Sequence, residues 1–581
     1  MKRARYIDYV CISLLVVCQI LLSVPRLRGP IDLRYDAGVY YILGTSLAEG
    51  KGYRLLNEPG AIQEIQYPPL LPLFVAVHQR LAGRSDPLVV GRMLRISFFA
   101  LLLAFIVAAY LLSRHFLPPV PAYLATVPML LHVETMWSSE ILYAELPFAL
   151  GSVLFLLAAR HAKGKSREWL AGGLAVTCFL LRSVGIALLA AWLGDALLER
   201  RYRVMAVRAV VTLVAVLAWQ AYVGSVKHAP EYQQPAYEYQ RADYQSYNVT
   251  YADNLVYVDP FTPELGKESI PNLARRMVWN LVRLPQTLGS AVSVRRDRGT
   301  YAARRIKQKF GIGWLPESAI DVVPFFVLGS MVLFGLAVLA LRGERLLLVY
   351  VLASGFLISV TPLPEQLGRY LWPLSPVLFI ALVAGLAVTQ HRLSVIVKGK
   401  LRIPVMAMIA LTALALLTIQ GYARYKFPTD KAFYQDGTGK RQQYDLLYFT
   451  PAWKHHEEAL DWLGRHADTH DIVATTTPHW LYIKTGLSAV MPPFEPDLIE
   501  AQRLLDSVPV TYLITDSLHF LSADLLDFSD VNRRYAAPVV DAFPARWELI
   551  YTSADNDSRI YRRTNQDKGL DKRETSRAEL R

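Results

Sequence analysis

The sequence predicts an α-helical polytopic membrane protein with a small soluble α/β domain towards its C-terminal end. Of its 581 residues, 53% are hydrophobic, and the mean hydropathy is +0.25. Such a chain is too apolar for an ordinary soluble protein. Apolar runs of about 18 residues or more, long enough to cross a hydrocarbon core about 30 Å thick, recur between residues 8 and 421.

Eleven of these runs are predicted to be transmembrane helices. Their approximate spans are 8–25, 89–112, 118–133, 141–159, 169–182, 184–198, 207–223, 321–341, 346–361, 370–389 and 403–421. Residues 169–198 are divided into two helices, because one helix of this length would measure about 45 Å and hold Arg182 near its centre. A single helix over 169–198 is the alternative, and it would move the C-terminal domain to the cytoplasmic side.

The distribution of positive charge predicts the orientation. Short cytoplasmic loops collect Lys and Arg, and an N-terminus inside the cell places 18 of these residues, against four acidic ones, in the inner segments. The net charge of +13 is therefore a consequence of membrane topology, and nothing in it indicates nucleic-acid binding. An odd number of helices then places the C-terminal domain on the outer side of the plasma (inner) membrane.

The chain divides into three predicted parts. A transmembrane catalytic domain covers residues 1–424, with outer loops at 26–88 and 224–320. Residues 425–563 form an extracytoplasmic α/β domain, in which a helix over 453–466 is followed by strands near 471–477, 510–515, 547–551 and 559–561. The charged tail, 564–581, is expected to be disordered. His455 and His456 do not share a helix face, so a metal site there is a weak expectation.

Asp36 is the first candidate catalytic residue. It lies in the sequence LRYDAGVYY, residues 33–41, just beyond the first predicted membrane helix, and precedes the proline-rich YPPLLP of residues 67–72. An acidic residue at a membrane surface is placed to act as a general base towards a lipid-linked substrate. The alternative is an exposed residue that caps a helix over 35–49, which the spacing of its apolar residues predicts to be amphipathic and to lie in the interface.

Glu140 and Glu145 are supporting acidic candidates at the outer end of the predicted helix 141–159. Ionisable groups at this depth are costly and usually face a cavity or a partner. The sequence leaves their role open between orienting an acceptor, holding a divalent ion, binding Arg182, and a purely structural ion pair.

Arg182 and Arg369 are the candidate phosphate-binding residues, because both fall at predicted outer helix ends and a guanidinium presents forked donors to phosphate oxygens. For Arg369, simple interfacial anchoring is the alternative. Tyr67 and Tyr370 are candidate donor contacts. The basic stretch 275–309 either contacts anionic lipid or is a solvated flank.

The order of these features resembles the type C glycosyltransferases, membrane enzymes that take sugars from polyprenyl-phosphate carriers. The nearest likenesses are the bacterial relatives of protein O-mannosyltransferases and the aminoarabinose lipid A transferase. The whole plan carries the resemblance, together with four short matches: YPP at 67–69, SE at 139–140, LRSVG at 181–185 and RYLWPLSP at 369–376. One departure is that many of these families have two adjacent acidic residues in the first loop, whereas Ala37 follows Asp36.

The resemblance implies inverting transfer of a hexosyl or pentosyl group to a glycan, lipid or protein acceptor outside the membrane, with a single carboxylate base. It implies no cofactor firmly, and a divalent metal remains an option. The sequence does not predict the sugar, the acceptor or the oligomeric state. Two other functions stay open: a transporter or flippase for a lipid-linked or anionic solute, and a non-catalytic scaffold of the same fold.

Overall fold

The structure is a computed structural model. It describes residues 2–160, 165–295, 304–305, 307–309, 311, 316, 322–363, 366–396, 404–426, 429–435, 438–518 and 531–564. The predicted disordered tail lies outside the described residues except for Thr564, as do parts of the basic stretch 275–309 and of the predicted inner loop 391–403.

The described chain is mostly helical. Its helices of eight or more residues are Lys2–Ser23, Asp36–Ala48, Leu70–Ala82, Pro87–Phe116, Pro119–Leu131, Val133–Glu140, Glu145–Arg160, Lys165–Leu181, Ile186–Leu198, Tyr202–Lys227, Ile270–Val282, Leu284–Ala291, Val323–Leu341, Arg345–Ile358, Ser375–Ile396, Val405–Tyr425, Pro451–His466, Pro478–Thr485 and Leu498–Ser507. Shorter helical turns include Val24–Arg26, Ser183–Gly185, Pro230–Gln233, Tyr251–Leu255, Pro263–Leu265, Leu367–Leu371, Trp372–Leu374, Asn532–Ala536 and Ala537–Ala542.

Six of the described helical segments are long and apolar enough to cross a membrane. They are Arg5–Arg26, Pro87–Phe116, Tyr202–Lys227, Val323–Leu341, Leu367–Arg392 and Val405–Tyr425. Shorter apolar helices, of 10–17 residues, include Leu70–Ala82, Pro119–Leu131, Ser183–Leu198 and Arg345–Ile358. The chain is therefore a multi-pass membrane protein, as predicted. The count of eleven helices and the orientation in the membrane stay predictions.

The segment 169–198 contains two helices, which agrees with the favoured prediction. The first ends at Leu181, Arg182 has extended backbone with φ −149° and ψ 135°, and the second begins at Ile186. A Cβ atom on Gly185 would lie 2.6 Å from the carbonyl carbon of Cys178. Glycine therefore lets the turn close tightly onto the first helix, and Arg182 is left at a break in the helical backbone.

The helix that begins at Asp36 forms where it was predicted, but the prediction that it is amphipathic and lies in the interface is wrong. All residues from Ala37 to Ser46 are buried. One side packs against Leu70–Ala82, and helix Pro478–Thr485 of the C-terminal domain covers another. The reason is that the C-terminal domain packs over the side of the helix that would otherwise face water. The spacing of apolar residues within the helix cannot reveal this contact.

The C-terminal region carries two sheets. Strands β1 Thr429–Gln435 and β2 Arg441–Leu447 form an antiparallel hairpin. Strands β3 Ile472–Ala474, β4 Ser488–Val490, β5 Val510–Thr515, β6 Trp547–Thr552 and β7 Arg559–Arg563 form a sheet in the order β4-β3-β5-β7-β6. The pairs β3–β4 and β3–β5 are parallel, and β5–β7 and β6–β7 are antiparallel. The four predicted strands are present, whereas the hairpin and β4 were missed.

The C-terminal domain is joined to the loop that carries Asp36. Arg34 is fully buried, and its Nη2 donates to the carbonyl oxygen of Leu447 in β2 at 2.6 Å. The carbonyl oxygen of Asn57 accepts from the backbone N–H of Ala489 in β4 at 2.8 Å. The loop that carries Asp36 is therefore fixed to the C-terminal domain on both sides of Asp36.

Candidate active site

Asp36 is held by two donors at the start of its helix. Its Oδ2 accepts from Arg369 Nη2 at 3.1 Å, and its Oδ1 accepts from the hydroxyl of Tyr247 at 3.2 Å. The side chain is 26% exposed, so a ligand can still reach the carboxylate. The preceding residue, Tyr35, has φ 58° and ψ −141°, a region that non-glycine residues seldom occupy and that is often found at functional sites.

Glu145 links the two predicted arginines. Its side chain is 1% exposed, and its Oε1 accepts from Arg369 Nε at 2.6 Å. The same oxygen forms an ion pair with Arg182 Nη1. Asp36, Arg369, Glu145 and Arg182 therefore form one continuous ionic cluster. We call these four residues the Asp36 cluster.

The arginines of the cluster keep donors that the carboxylates do not use. Arg369 contacts Glu145 through Nε and Asp36 through Nη2, which leaves Nη1. Arg182 contacts Glu145 through Nη1. Their side chains are 25% and 15% exposed, respectively. Because a guanidinium carries five N–H donors, both groups can bind an additional anion without giving up their contacts to Glu145.

Tyrosine rings surround these arginines. The guanidinium carbon of Arg369 lies 4.2 Å from the ring centroid of Tyr143, and that of Arg182 lies 5.8 Å from the ring of Tyr370. The Tyr370 hydroxyl donates to Gln366 Oε1 at 3.0 Å. These contacts favour the positive charge of both arginines and fix the planes of their guanidinium groups. Tyr370, a predicted donor contact, thus lies beside the cluster.

Tyr67, the other predicted donor contact, belongs to a buried group of aromatic rings. Its ring centroid lies 4.9 Å from that of Tyr40 and 5.7 Å from that of Tyr251. Burial raises the pKa of Tyr67 and of its two neighbours above the ordinary value. All three tyrosines therefore stay neutral at neutral pH and keep their hydroxyl protons.

Two residues of the site were missed by the sequence analysis. Tyr247 donates to Asp36, and its ring meets the ring of His479 edge to face with centroids 4.6 Å apart. His479 belongs to helix Pro478–Thr485 of the C-terminal domain, and burial lowers its pKa to about 3. A neutral imidazole thus holds the tyrosine that bonds Asp36. The high tyrosine content of residues 232–257 is the only signal in the sequence for Tyr247.

Glu140 lies outside the Asp36 cluster. The expectation that Glu140 and Glu145 both lie at the outer end of one helix over 141–159 is wrong. Helix Val133–Glu140 ends at Glu140, residues 141–144 are non-helical, and the next helix begins at Glu145. Ile141 forms a parallel bridge with Asp32, which pulls this segment out of helical geometry. Glu140 Oε2 accepts from Arg26 Nη2 at 2.7 Å and lies 3.8 Å from Arg95 Nη2.

The described residues contain no group of three or more His, Cys, Asp or Glu side chains placed to hold a metal ion. Both carboxylates of the Asp36 cluster bond Arg369, so the cluster is arranged as ion pairs and does not fit a metal ligand set. His455 and His456 contact different partners: His456 Nδ1 lies 2.9 Å from Asp516 Oδ2, and His455 Nδ1 lies 3.2 Å from Asp557 Oδ2.

No protein-family model matches the chain, and no curated protein sequence matches it. Solved structures do match its fold. ArnT from Cupriavidus metallidurans bound to undecaprenyl phosphate is 12% identical, with a TM-score of 0.50, and the match covers 96% of this chain and 98% of ArnT.

The archaeal oligosaccharyltransferase AglB from Archaeoglobus fulgidus also matches. Its complex with an inhibitory peptide and a dolichol-phosphate is 12% identical, with a TM-score of 0.53, over 97% of this chain and 75% of AglB. The oligosaccharyltransferase of the same organism in its apo form is 13% identical, with a TM-score of 0.54, over 94% of this chain and 80% of that protein.

These neighbours are type C glycosyltransferases, so the resemblance predicted from the sequence is confirmed. At such low identity the likeness concerns the fold. The chain is thus a multi-pass membrane protein of type C glycosyltransferase fold. Asp36 and the two arginines of its cluster lie near the contact between its helices and its C-terminal region.

Proposed function

We propose that this protein is a glycosyltransferase that moves one sugar from a polyprenyl-phosphate carrier to an acceptor at the outer face of the membrane. The observation that carries the proposal is the Asp36 cluster, in which a partly exposed carboxylate and two arginines are joined through the buried Glu145. The structural neighbours, solved with undecaprenyl phosphate or dolichol-phosphate, support a lipid phosphate as the carrier.

Asp36 acts as the general base in this proposal. Its carboxylate takes the proton from an acceptor hydroxyl, and the hydroxyl oxygen forms a bond to the anomeric carbon. The bond between that carbon and the phosphate oxygen breaks on the opposite face, so the configuration inverts, and the electron pair leaves with the phosphate. One carboxylate suffices, because a phosphate leaves with less acid assistance than a sugar alkoxide does.

Arg182 and Arg369 bind the departing phosphate. Their guanidinium groups are fixed by Glu145 and by aromatic rings before the substrate arrives, so they need little rearrangement as negative charge develops. Forked N–H donors match phosphate oxygens. Tyr247 holds the plane of the Asp36 carboxylate, and Tyr370 and Tyr67 border the space beside the arginines as further donor contacts.

The protein is proposed to lie in the plasma (inner) membrane with the Asp36 cluster and the C-terminal domain outside the cytoplasm. Asp36 follows the end of the first membrane-length segment, Arg5–Arg26. The hairpin β1–β2 follows the end of Val405–Tyr425. Both therefore lie at the same end of the membrane helices, and the positive charge of the other loops supports the outer side.

The test is turnover of a panel of polyprenyl-phosphate sugars by the full-length protein in lipid nanodiscs, with envelope extract as the source of acceptor. Asp36→Asn keeps the shape of the side chain and removes the base. Asp430→Asn, at an exposed position in β1, is the matched control. The expected result is sugar release by wild type and control, and none by Asp36→Asn, with donor binding retained in all three.

Two results would contradict the proposal. Wild-type turnover by a folded Asp36→Asn variant would remove Asp36 as the base. In sealed proteoliposomes, movement of the lipid-linked sugar across the bilayer without cleavage would replace the transferase with a transporter.

A further inference from the structure

A cavity lies apart from the Asp36 cluster, and we call it the second cavity. Its volume is about 380 Å³, and it lies between the loop 27–29, the first turns of helix Pro87–Phe116 and the hairpin β1–β2. The lining side chains that matter are Arg28, Arg92, Ile96, Tyr434, Gln442 and Gln443. None of them belongs to the site of the proposed transfer reaction.

The walls of this cavity are held by close backbone packing. Gly29 has φ +79°, and a Cβ atom there would meet the ring of Tyr444 at 2.9 Å. A Cβ atom on Gly91 would lie 2.7 Å from the Cβ atom of Pro30, and the Gly91 carbonyl accepts from Ile31 N at 2.9 Å. The two glycines let the loop lie tightly between the helix and the hairpin, so the cavity is part of the folded structure.

The cavity carries positive charge that the described chain does not neutralise. Its lining contains two arginines and no acidic residue, and neither Arg28 nor Arg92 forms an ion pair in the described part of the chain. The guanidinium carbon of Arg92 lies 4.8 Å from the ring centroid of Tyr434. Its Nε is buried and has no hydrogen-bond partner within the described residues.

The nearby acids are matched by other cations. Glu140 is paired with Arg26, and Asp445 in β2 is paired with Lys431 in β1. Arg92 is partly withdrawn from water and its Nε has no partner among the described residues, which is unfavourable. An anion with several oxygen atoms would relieve that cost for Arg92 and would also contact the exposed guanidinium group of Arg28. The chemistry of the lining therefore favours a phosphate group.

The position of the cavity indicates where the phosphate comes from. The membrane-length segment Arg5–Arg26 ends just before Leu27 of the cavity lining, and Pro87–Phe116 contributes Arg92 and Ile96 from its first turns. The cavity therefore lies at the end of the apolar part of the protein. Ile96, which lines it, is 65% exposed and continues the apolar surface of its helix. A ligand with a phosphate head and an apolar tail fits both features.

We infer that this cavity binds the phosphate of a lipid head group through Arg28 and Arg92, at a site separate from the one proposed for the sugar carrier. Gln442 and Gln443 provide amide groups for the polar part of the head group. The lipid tail lies along the face that carries Ile96. The inference does not depend on the transferase activity, because its residues and its binding test are independent of Asp36.

The test measures binding of three probes to the full-length protein in phosphate-free detergent by calorimetry. Dioctanoyl phosphatidic acid has the phosphate and the tails, dioctanoylglycerol has only the tails, and inorganic phosphate has only the anion. The variants are Arg28→Gln and Arg92→Gln, and Arg84→Gln, an exposed arginine outside the cavity, is the matched control. The Asp36→Asn variant is measured in parallel.

We expect each cavity variant to weaken phosphatidic acid binding by about tenfold or more, while Arg84→Gln and Asp36→Asn bind as wild type does. Dioctanoylglycerol and inorganic phosphate should each bind more weakly than phosphatidic acid. Wild-type affinity in both cavity variants would overturn the site, and equal affinity for inorganic phosphate and phosphatidic acid would overturn the lipid assignment. Since Arg92 is on a helix and Arg28 in a loop, loss of folding in one variant still leaves the other as a test.

Discussion

Glu140 and Glu145 lie five residues apart in the sequence, yet the structure places them in separate ionic clusters. Glu145 bonds Arg182 and Arg369, and Arg369 reaches Asp36, which is 26% exposed. Glu140 bonds Arg26 at the end of the first helix. Both acids satisfy the general requirement that a charge withdrawn from water must be paired.

The two ionic clusters differ in the residues at which their contacts end. The cluster around Glu140 ties the first helix to the segment after helix Val133–Glu140, so it holds elements of the fold together. The cluster around Glu145 ends on a carboxylate that a ligand can reach. A buried acid therefore indicates a functional site only when its arginine partner also contacts a group that a ligand can reach.

The largest effect is expected for Glu145→Gln. The change leaves Arg182 and Arg369 without their shared counter-charge in a buried position, which should lower the free energy of unfolding by about 3 to 5 kcal/mol. Sugar transfer per folded molecule should fall about a hundredfold or more, because the arginines no longer hold their orientation. Thermal unfolding and turnover in the same detergent measure both. A folded variant with wild-type turnover would remove Glu145 from the site.

Glu140→Gln tests whether the cluster around Glu140 contributes to turnover or only to stability. It breaks the partly buried pair with Arg26, so the free energy of unfolding should fall by about 3 kcal/mol. Turnover per folded molecule should stay within about threefold of wild type, because Glu140 does not contact Asp36, Arg182 or Arg369. A loss of turnover as large as that of Glu145→Gln, at equal folded amounts, would show that the two clusters act together.

Glu64 provides a third case, a buried acid that forms no ion pair with the described residues. Burial raises its pKa from the ordinary 4.5 to about 7. Between these two values the unfolded chain ionises while the folded protein keeps its proton, so stability is lost as pH rises from 4.5 through 7. The free energy of unfolding of wild type should therefore fall by up to about 3 kcal/mol as the pH rises through this range.

The check is the thermal midpoint of wild type and Glu64→Gln at pH 5 and pH 8. The glutamine cannot ionise, so the variant should gain stability relative to wild type at pH 8 and gain little at pH 5. An equal difference at both pH values would show that Glu64 does not titrate in this window.

The smallest effect is expected for Tyr247→Phe. It removes one of the two donors to Asp36 and keeps the ring that packs against His479. Turnover should fall about tenfold, in line with the loss of one hydrogen bond to a charged group, with little change in the thermal midpoint. Tyr434→Phe, a matched change in the second cavity, should leave turnover unchanged, and a tenfold loss in both variants would show that the effect is not specific to Asp36.

The residues of the Asp36 cluster could be predicted from the sequence because each has a local signal. Asp36 is an acid just beyond an apolar run, and Arg182 and Arg369 interrupt or begin apolar segments. Tyr247 and His479 have no such signal, because only folding brings Tyr247 to Asp36 and His479 to Tyr247. Tyr247 is 211 positions from Asp36. Side chains brought together over such distances leave no periodicity to detect.

Two errors have the same physical origin. Periodicity places Asp36–Ala48 at a surface, but it cannot reveal that helix Pro478–Thr485 covers that surface. Likewise the apolar residues 141–144 look like the start of a helix, and only the bridge between Asp32 and Ile141 shows why they are extended. Local pattern predicted the helices, while contacts between distant segments decided which side chains meet.

The most direct measurement compares Arg369→Gln with Arg26→Gln, the arginine partners of Glu145 and Glu140. Both changes remove an arginine that bonds one of the two glutamates, so turnover of a polyprenyl-phosphate sugar is measured per folded molecule. If the Asp36 cluster is the reactive site, turnover should fall about a hundredfold or more in Arg369→Gln and should stay within about threefold of wild type in Arg26→Gln. Equal losses, or a larger loss for Arg26→Gln, would contradict the account.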